Sequence, residues 1–268
     1  MNLEAIHEWL IEYTGLDSAS IGEVPLQEAV RDRISILGCE SLKGYLAHLR
    51  SSAQERLVLV ERVVVPETWF YRERDVLEWL ASHANQVWAK RHPGQVFRVL
   101  CVPCWTGEES YSVAISLIDS GWPRNQLQVD GIDLGRENIR RARTGEYKIT
   151  SFRGREFGFR ERHLIEVNPE LWQVPDSIRA LVRFEQASLL APGFAQMRAP
   201  YDAIFCRNLL MYFDHETQAR ALEVVDSLLG QDGVIAAGPG ELEFLRARKF
   251  RSVSLHLPFV LDRQKGTR

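Results

Sequence analysis

The residues best suited to chemistry sit in Thr106-Gly107-Glu108-Glu109, where the apolar run VFRVLCV gives way to a helix-like pattern, and at Asp133, which closes a second run, LQVDGID. A turn between a buried strand and the following helix is where an open α/β sheet offers groups to a ligand. Its residues argue against a nucleotide. A dinucleotide fingerprint uses three glycines, and this turn has Gly107 alone. A phosphate-binding loop would continue into Lys-Ser/Thr, which is absent. Glu108 and Glu109 also put negative charge at the helix start, where a phosphate would otherwise bind. That end of the pocket prefers a cationic or uncharged group.

Two other readings compete for the turn. Cys101 and Cys104 form a C-x-x-C pair, but a zinc site needs further ligands at suitable spacing, and Cys101 lies inside the strand run instead of opening a helix. Two buried structural thiols are the plain alternative, and no metal is expected. S-adenosylmethionine fits the charges: its sulfonium and ammonium are positive, and an acid at the end of the second strand, such as Asp133, can bind ribose hydroxyls. Local roles stand beside these. Thr106-x-x-Glu109 spells a capping box, and Asp133 is equally suited to satisfying backbone donors of its loop.

The elements that position these residues follow from periodicity. Residues 1 to 65 read as amphipathic helices through Leu3, Ile6, Leu10 and Tyr13, then Leu26, Val30, Ile34 and Leu37, then Leu42, Tyr45 and Leu49. SAQERLVLVERVVV is ambiguous between a fourth helix and a strand because of its valines, and Pro66 marks a boundary. From there VFRVLCV, a helix, LQVDGID and the helix RENIRRARTG, stopped by Gly145, alternate as in a parallel sheet. YDAIFCRN repeats the pattern, Asp214 is placed to cap HETQARALEVVDSLL, GQDG reads as a turn into VIAAG, and FRSVSLHLPFVLDR as a closing hairpin. Residues 150 to 185 lose the rhythm and read as an inserted β-rich piece, so the expected division is 1–65 and 66–268.

Composition limits the classes. With 45% hydrophobic and 26% charged residues the chain is neither disordered nor fibrous, and LVLVERVVV is broken by Glu61 and Arg62 before it could span a membrane. The start, MNLEAIHEWL, has no basic segment of a secretion signal, and four cysteines make no disulfide framework, so a cytoplasmic protein is expected. A net charge of −3 argues against a nucleic-acid partner. One local exception is the series Arg140, Arg141, Arg143, Lys148, Arg153, Arg155, Arg160 and Arg162, against Glu146, Glu156 and Glu161, which reads as a solvated face or as steering for an acidic partner.

Four segments in order, ETWFYRE (67–73), CWTGEESYSVAI (104–115), ID followed by RARTGEY (132–147) and IFCRNLLMYFDHETQ (204–218), resemble the CheR-type chemoreceptor glutamate methyltransferases over nearly the whole chain. The resemblance implies an N-terminal all-helical domain, a Rossmann-like S-adenosylmethionine-dependent methyltransferase domain and a small inserted antiparallel β-subdomain. It implies methyl transfer to glutamates on chemoreceptor cytoplasmic helices, giving methyl esters and S-adenosylhomocysteine. By position it places Thr68 and Arg72 at the methionyl end of the cofactor, Glu109 at its amino-acid part, Asp133 at the ribose, Ser188 and Leu189 by the adenine, and Arg207 and Asn208 further along. Arg72 and Tyr212 fall next to the transferred methyl.

Several positions depart from the family pattern: Pro66 for Asn, Pro103-Cys104-Trp105 for small residues, Ser188 for Asn and Ser110 for Pro. These mark a divergent branch. A glutamate carboxylate, with an unperturbed pKa of about 4.3, needs no general base, so Arg72 and Tyr212 are read as positioning groups. Without the resemblance, Arg72 would pack on its aromatic neighbours and pair with Glu73 or Asp75, and Tyr212 would be core. The expected partner is the chemoreceptor cytoplasmic domain, met by a basic face of which Arg31, Arg33 and Arg50 are candidates, with a monomeric enzyme and no membrane insertion. The competing functions are a non-catalytic cofactor-binding regulator of the same fold and a methyltransferase for a small molecule or RNA. The ending QKGTR carries no fold-closing signal, which leaves room for a C-terminal extension.

Overall fold

A computed structural model describes residues 3–14, 23–63, 68–153, 158–213, 215–248, 250–254 and 256–263. It divides into two units, Met1–Glu67 with Met211–Arg220, and Thr68–Leu210 with Ala221–Arg268.

The first unit is built on α1 (Glu4–Thr14), α2 (Glu23–Leu37), α3 (Leu42–Ser51) and α4 (Ala53–Val63). The ambiguous valine-rich stretch is therefore helical over its described part. Leu3, Ile6 and Leu10 of the first stripe and Leu26, Val30, Tyr45 and Leu49 of the others are buried, as their spacing predicts, and Leu59 of α4 is buried as well. The end of α2 departs from that pattern, since Leu37 is 37% exposed. The side chain of Tyr13, and Pro66, Arg155, Glu156 and Asp214, lie outside the described residues. Ser41 caps α3, its Oγ accepting from the Gly44 amide at 3.1 Å. Between α2, α3 and α4, the buried Glu55 accepts both arms of Arg33 at 2.9 and 2.7 Å and the hydroxyl of Tyr45 at 2.8 Å.

The second unit is a sheet of β1 (Phe97–Cys101), β2 (Leu127–Asp133), β6 (Val182–Gln186), β7 (Tyr201–Cys206), β8 (Leu229–Ala237), β9 (Phe250–Ser254) and β10 (Leu257–Arg263), in the order β6-β2-β1-β7-β8-β10-β9. The five strands from β6 to β8 run parallel, β10 pairs antiparallel with β8, and β9 closes the sheet antiparallel to β10. This is a mixed α/β sheet with its parallel strands joined through helices, the arrangement their alternation in sequence predicts. The helices of this unit are α5 (Arg74–His83), α6 (Ala89–Arg91), α7 (Glu108–Asp119), α8 (Arg136–Thr144), α9 (Gly158–His163), α10 (Asp176–Arg179), α11 (His215–Leu228), whose first turns belong to the helical unit, and α12 (Leu242–Ala247). Gly145 ends α8 in the left-handed conformation, with φ of 66°.

GQDG is not a turn but part of β8, where the register with β7 shifts between Tyr201 and Ala203. The carbonyl of Tyr201 lies 3.1 Å from where a Cβ on Gly230 would stand and 2.9 Å from one on Gly233, so these glycines admit the close approach of the neighbouring strand.

A second sheet of β3 (Glu146–Lys148), β5 (Leu171–Gln173) and β4 (Ile165–Asn168) is antiparallel and spans 146–173, between α8 and β6. An aromatic cluster ties the segment before α5 to it. Phe70 stacks on Phe152 at 5.0 Å between centroids and meets the edge of Tyr147 at 4.8 Å, while Tyr71 packs on Phe159 at 4.2 Å. Each buried aromatic of this kind contributes about 1.5–3 kcal/mol, so the Trp69–Arg72 segment is held by packing although it has no regular structure.

Candidate functional site

Adjacent parallel strands deliver the candidate residues to one edge of the sheet. Glu109 follows β1, Asp133 ends β2, Ser188 and Leu189 follow β6, and Arg207 and Asn208 follow β7. In strand order β6-β2-β1-β7 these are neighbours. The carboxyl edge of such a sheet is where α/β folds bind their ligands.

At its centre, Arg207 is 4% exposed and lies between two carboxylates: Nη1 is 2.7 Å from Glu109 Oε2 and Nη2 is 2.7 Å from Glu73 Oε1. The first contact is a hydrogen bond; the second is an ion pair off the hydrogen-bonding line, so Nε and Nη2 of Arg207 and Oε2 of Glu73 are buried without a hydrogen-bond partner among the described residues. Burial pushes the Glu109 carboxyl up, opposed by Arg207 and by the nearby charge of Arg72. Two acids sharing one guanidinium leave an excess of negative charge. Together with the unsatisfied donors, this suits a small zwitterion that also carries a second positive centre.

The capping box does not form. Gly107 is the N-cap, at φ 97°, and the Thr106 hydroxyl reaches Glu108 at 2.6 Å, leaving Glu109 for Arg207. Gly107 tolerates no side chain, because a Cβ there would lie 2.8 Å from Tyr147 Oη and 2.9 Å from Phe184 Cζ. Glu108 is buried and its other oxygen accepts from Ser151 Oγ at 3.1 Å. The two adjacent acids thus have different tasks: Glu108 binds the turn to the small sheet's side, and Glu109 faces β7.

Asp133 is 6% exposed and accepts three internal hydrogen bonds: the Trp105 amide at 2.8 Å on Oδ2, and the Gly135 amide at 2.8 Å with Asn138 Nδ2 at 3.0 Å on Oδ1. Its loop-satisfying role is therefore real, and one acceptor direction remains on Oδ2. Ser188 is brought beside this strand end by the Ala187 amide, which donates to the Asp133 carbonyl at 3.0 Å; Leu189 is buried and the Ser188 hydroxyl accepts from the Leu190 amide.

Arg72 is half-buried and its guanidinium lies over the Trp69 ring at 4.7 Å from the centroid; Arg153 lies over the same ring at 4.9 Å. Stacking on an aromatic neighbour is as the bare sequence suggested, but Glu73 is committed to Arg207 instead. Thr68 is half-buried at the start of this segment. Tyr212 ends the short turn Leu210–Tyr212, and its side chain lies outside the described residues.

Among the described residues, the non-glycine positions with left-handed φ are Tyr71 (58°), Glu73 (54°), Trp105 (48°) and Asn208 (56°). All belong to the three segments that carry Arg72, Glu109 and Arg207. Backbone of this kind costs about 1–2 kcal/mol per residue and persists where surrounding bonds enforce it, commonly at ligand sites. Sequence reading missed Glu73 and Glu241; the latter is 0% exposed and accepts from the Leu209 amide at 2.9 Å. A partner distant in the chain leaves no local signature.

Cys101, Cys104 and Cys206 are buried free thiols, each pushed well up by burial, which leaves them as inert packing groups. No metal-binding cluster of His, Cys, Asp and Glu occurs among the described residues. The arginine series is largely engaged: Arg140 with Glu137, Arg143 with the Phe184 carbonyl, Arg160 over Trp172 and Arg162 with Asp119. Arg33, offered as a docking residue, is bound to Glu55 and is 13% exposed, whereas Arg31 and Arg50 are exposed.

A parallel-stranded α/β sheet that gathers acids and an arginine at its carboxyl edge, with a small antiparallel sheet between α8 and β6, defines a Rossmann-like class with its ligand site at that edge. Residues 66–257 match the family "CheR methyltransferase, SAM binding domain", and the chain belongs to that family. Its cofactor is S-adenosylmethionine. The chain is 41% identical over 249 residues to the probable biofilm formation methyltransferase WspC of Pseudomonas aeruginosa, covering 93% of this chain and 59% of that protein. It is 36% identical to the WspC of Pseudomonas putida, covering 99% and 62%. It is 31% identical over 215 residues to the chemotaxis protein methyltransferase of Salmonella typhimurium, covering 78% and 72%. The chain thus spans about three fifths of the length of its WspC relatives. No described helix is long and apolar enough to cross a membrane.

Proposed function

We propose that the protein methylates glutamate side chains on the cytoplasmic helices of a chemoreceptor, forming methyl esters in chemotaxis-like signalling, and that it works in the cytoplasm. The observation that carries this reading is the Glu73–Arg207–Glu109 cluster at the ends of β1 and β7, beside the Trp69–Arg72 segment.

When bound, S-adenosylmethionine supplies a methyl group on a positively charged sulfur. Glu109 and Glu73 favour positive charge at this edge, and Arg207 fixes both acids while keeping donors for a carboxylate. Asp133 has one acceptor direction left for a ribose hydroxyl, Ser188 and Leu189 border the adenine, and Asn208 and Thr68 complete the contacts. Arg72, whose guanidinium lies over Trp69, positions the acceptor carboxylate. That carboxylate is already ionised near neutral pH, so alignment and exclusion of water are the contribution of the chain, with Tyr212 as the second aligning group.

Incubation with methyl-labelled cofactor and receptor cytoplasmic fragments tests the reading. Base-labile label in the receptor is expected; label stable to base, or none despite cofactor binding, would overturn it, the latter in favour of a regulator.

A further inference from the structure

Resting on that reading, we infer that Glu241 is a positioning residue for the cofactor site: its buried carboxylate holds the Arg207-Asn208-Leu209 turn in its left-handed shape by accepting the Leu209 amide. Glu241 lies in the turn Pro239–Glu241 that follows β8, and none of it is exposed. Its Oε1 accepts from Leu209 N–H at 2.9 Å, 32 residues away in sequence. The accepting residue faces a turn whose Asn208 has φ of 56°, a left-handed conformation that asparagine reaches more readily than other side chains and that the bond from the next amide to Glu241 fixes.

The carboxylate is wedged in place. A Cβ on Gly238 would lie 2.4 Å from Glu241 Oε2 and 3.6 Å from the Asn208 amide nitrogen, so the glycine makes room for the acid directly beneath the turn. Burial pushes the Glu241 carboxyl up, while the amides of Leu209 and Gly238 and the charge of Arg207 favour its ionised form. A buried acid is costly unless its bonds serve a purpose, and a hydrophobic residue would fill this space at less cost. The bond it makes is to the backbone that aims Arg207 at Glu73 and Glu109. Glu241 touches none of the reactants; it acts through the turn.

Two variants of matched length separate this from a general contribution to folding. Glu241→Gln keeps an oxygen acceptor for Leu209; Glu241→Met keeps the volume and removes the acceptor. Titration calorimetry with S-adenosylhomocysteine is expected to show about a tenfold rise in Kd for the Met variant, the scale of one hydrogen bond to a charged group, and under about threefold for Gln. Amide exchange is expected to speed up at Leu209 in the Met variant alone, with β7 and β8 as protected as in wild type. Equal affinity in both variants and wild type, failure of Gln to restore binding, or exchange that rises across the whole sheet would each overturn the inference. A wild-type protein that binds no S-adenosylhomocysteine would sink the methyltransferase reading instead, and the exchange of Leu209 would still decide whether Glu241 holds the turn.

Discussion

Nη1 of Arg207 meets Oε2 of Glu109 at 2.7 Å, joining the ends of β1 and β7 across 98 residues of chain. With Glu73 on its other arm, the arginine is the only described cation seen bridging both acids, and its side chain is 4% exposed. Removing it takes away the guanidinium that pairs both carboxylates, which costs about 3–5 kcal/mol. Arg207→Met is therefore expected to fold poorly by urea denaturation. Glu109→Gln keeps the hydrogen-bond acceptor and removes charge, so it is expected to lose less stability while weakening S-adenosylhomocysteine binding by at least about tenfold. Unchanged affinity in that variant would remove Glu109 from the site.

Glu108 gives a pH-dependent test. Burial holds its carboxyl above the ordinary range, against the hydrogen bonds from Thr106 and Ser151. A carboxyl raised in the folded state contributes stability that is full below its unfolded pKa, about 4.3, and is lost as pH rises through the folded value. Glu108→Gln stays neutral throughout and lacks that loss. The stability of wild type relative to the variant is thus expected to fall as pH rises from about 4.3 through the raised folded value, read as the gap between their urea midpoints. Midpoint curves that run parallel over this window would show that Glu108 is not held protonated by the fold.

Much of this fold was legible because its signals are local. LQVDGID coincides with β2, and RENIRRART with α8 followed by its left-handed Gly145. What failed had competitors beyond the local stretch. Thr106-x-x-Glu109 has the letters of a capping box, but Glu109 gains more from an arginine at the end of β7 than from its own helix start. GQDG has the letters of a turn, yet Tyr201 on the neighbouring strand draws it into β8. The strands of the small sheet are three to four residues long, too short for alternation to register. Glu73 and Glu241 are single acids among many, and only the fold gives them partners.

The helical unit separates structural from surface arginines. Arg33 binds the buried Glu55 with both arms, and Tyr45 joins them. Arg33→Met is expected to destabilise by about 3–5 kcal/mol in denaturant titration, because Glu55 would stay buried without a counterion. Arg31 is exposed, so Arg31→Glu is expected to stay within about 0.5 kcal/mol of wild type. If the helices meet an acidic receptor, the same variant lowers receptor methylation and flattens its salt dependence. Unaltered salt dependence would assign Arg31 to the solvated surface.

Trp69 supports two guanidinium groups, Arg72 at 4.7 Å and Arg153 at 4.9 Å from its ring centroid. Arg72 comes from the segment before α5, and Arg153 from the connection that holds the small sheet, so the indole is where the two meet. Each such contact is worth about 0.5–1 kcal/mol at an exposed site and more when water is excluded. The indole also limits the swing of two long side chains, which lowers the entropy lost when either binds a carboxylate. Trp69→Leu preserves apolar bulk and removes the ring face. Its expected effect is a fall of about fivefold or more in kcat/KM for receptor fragments, with S-adenosylhomocysteine affinity within about twofold of wild type. A parallel loss of cofactor affinity would instead mean that Trp69 shapes the cofactor pocket, and full activity would mean that Arg72 reaches its acceptor without the ring.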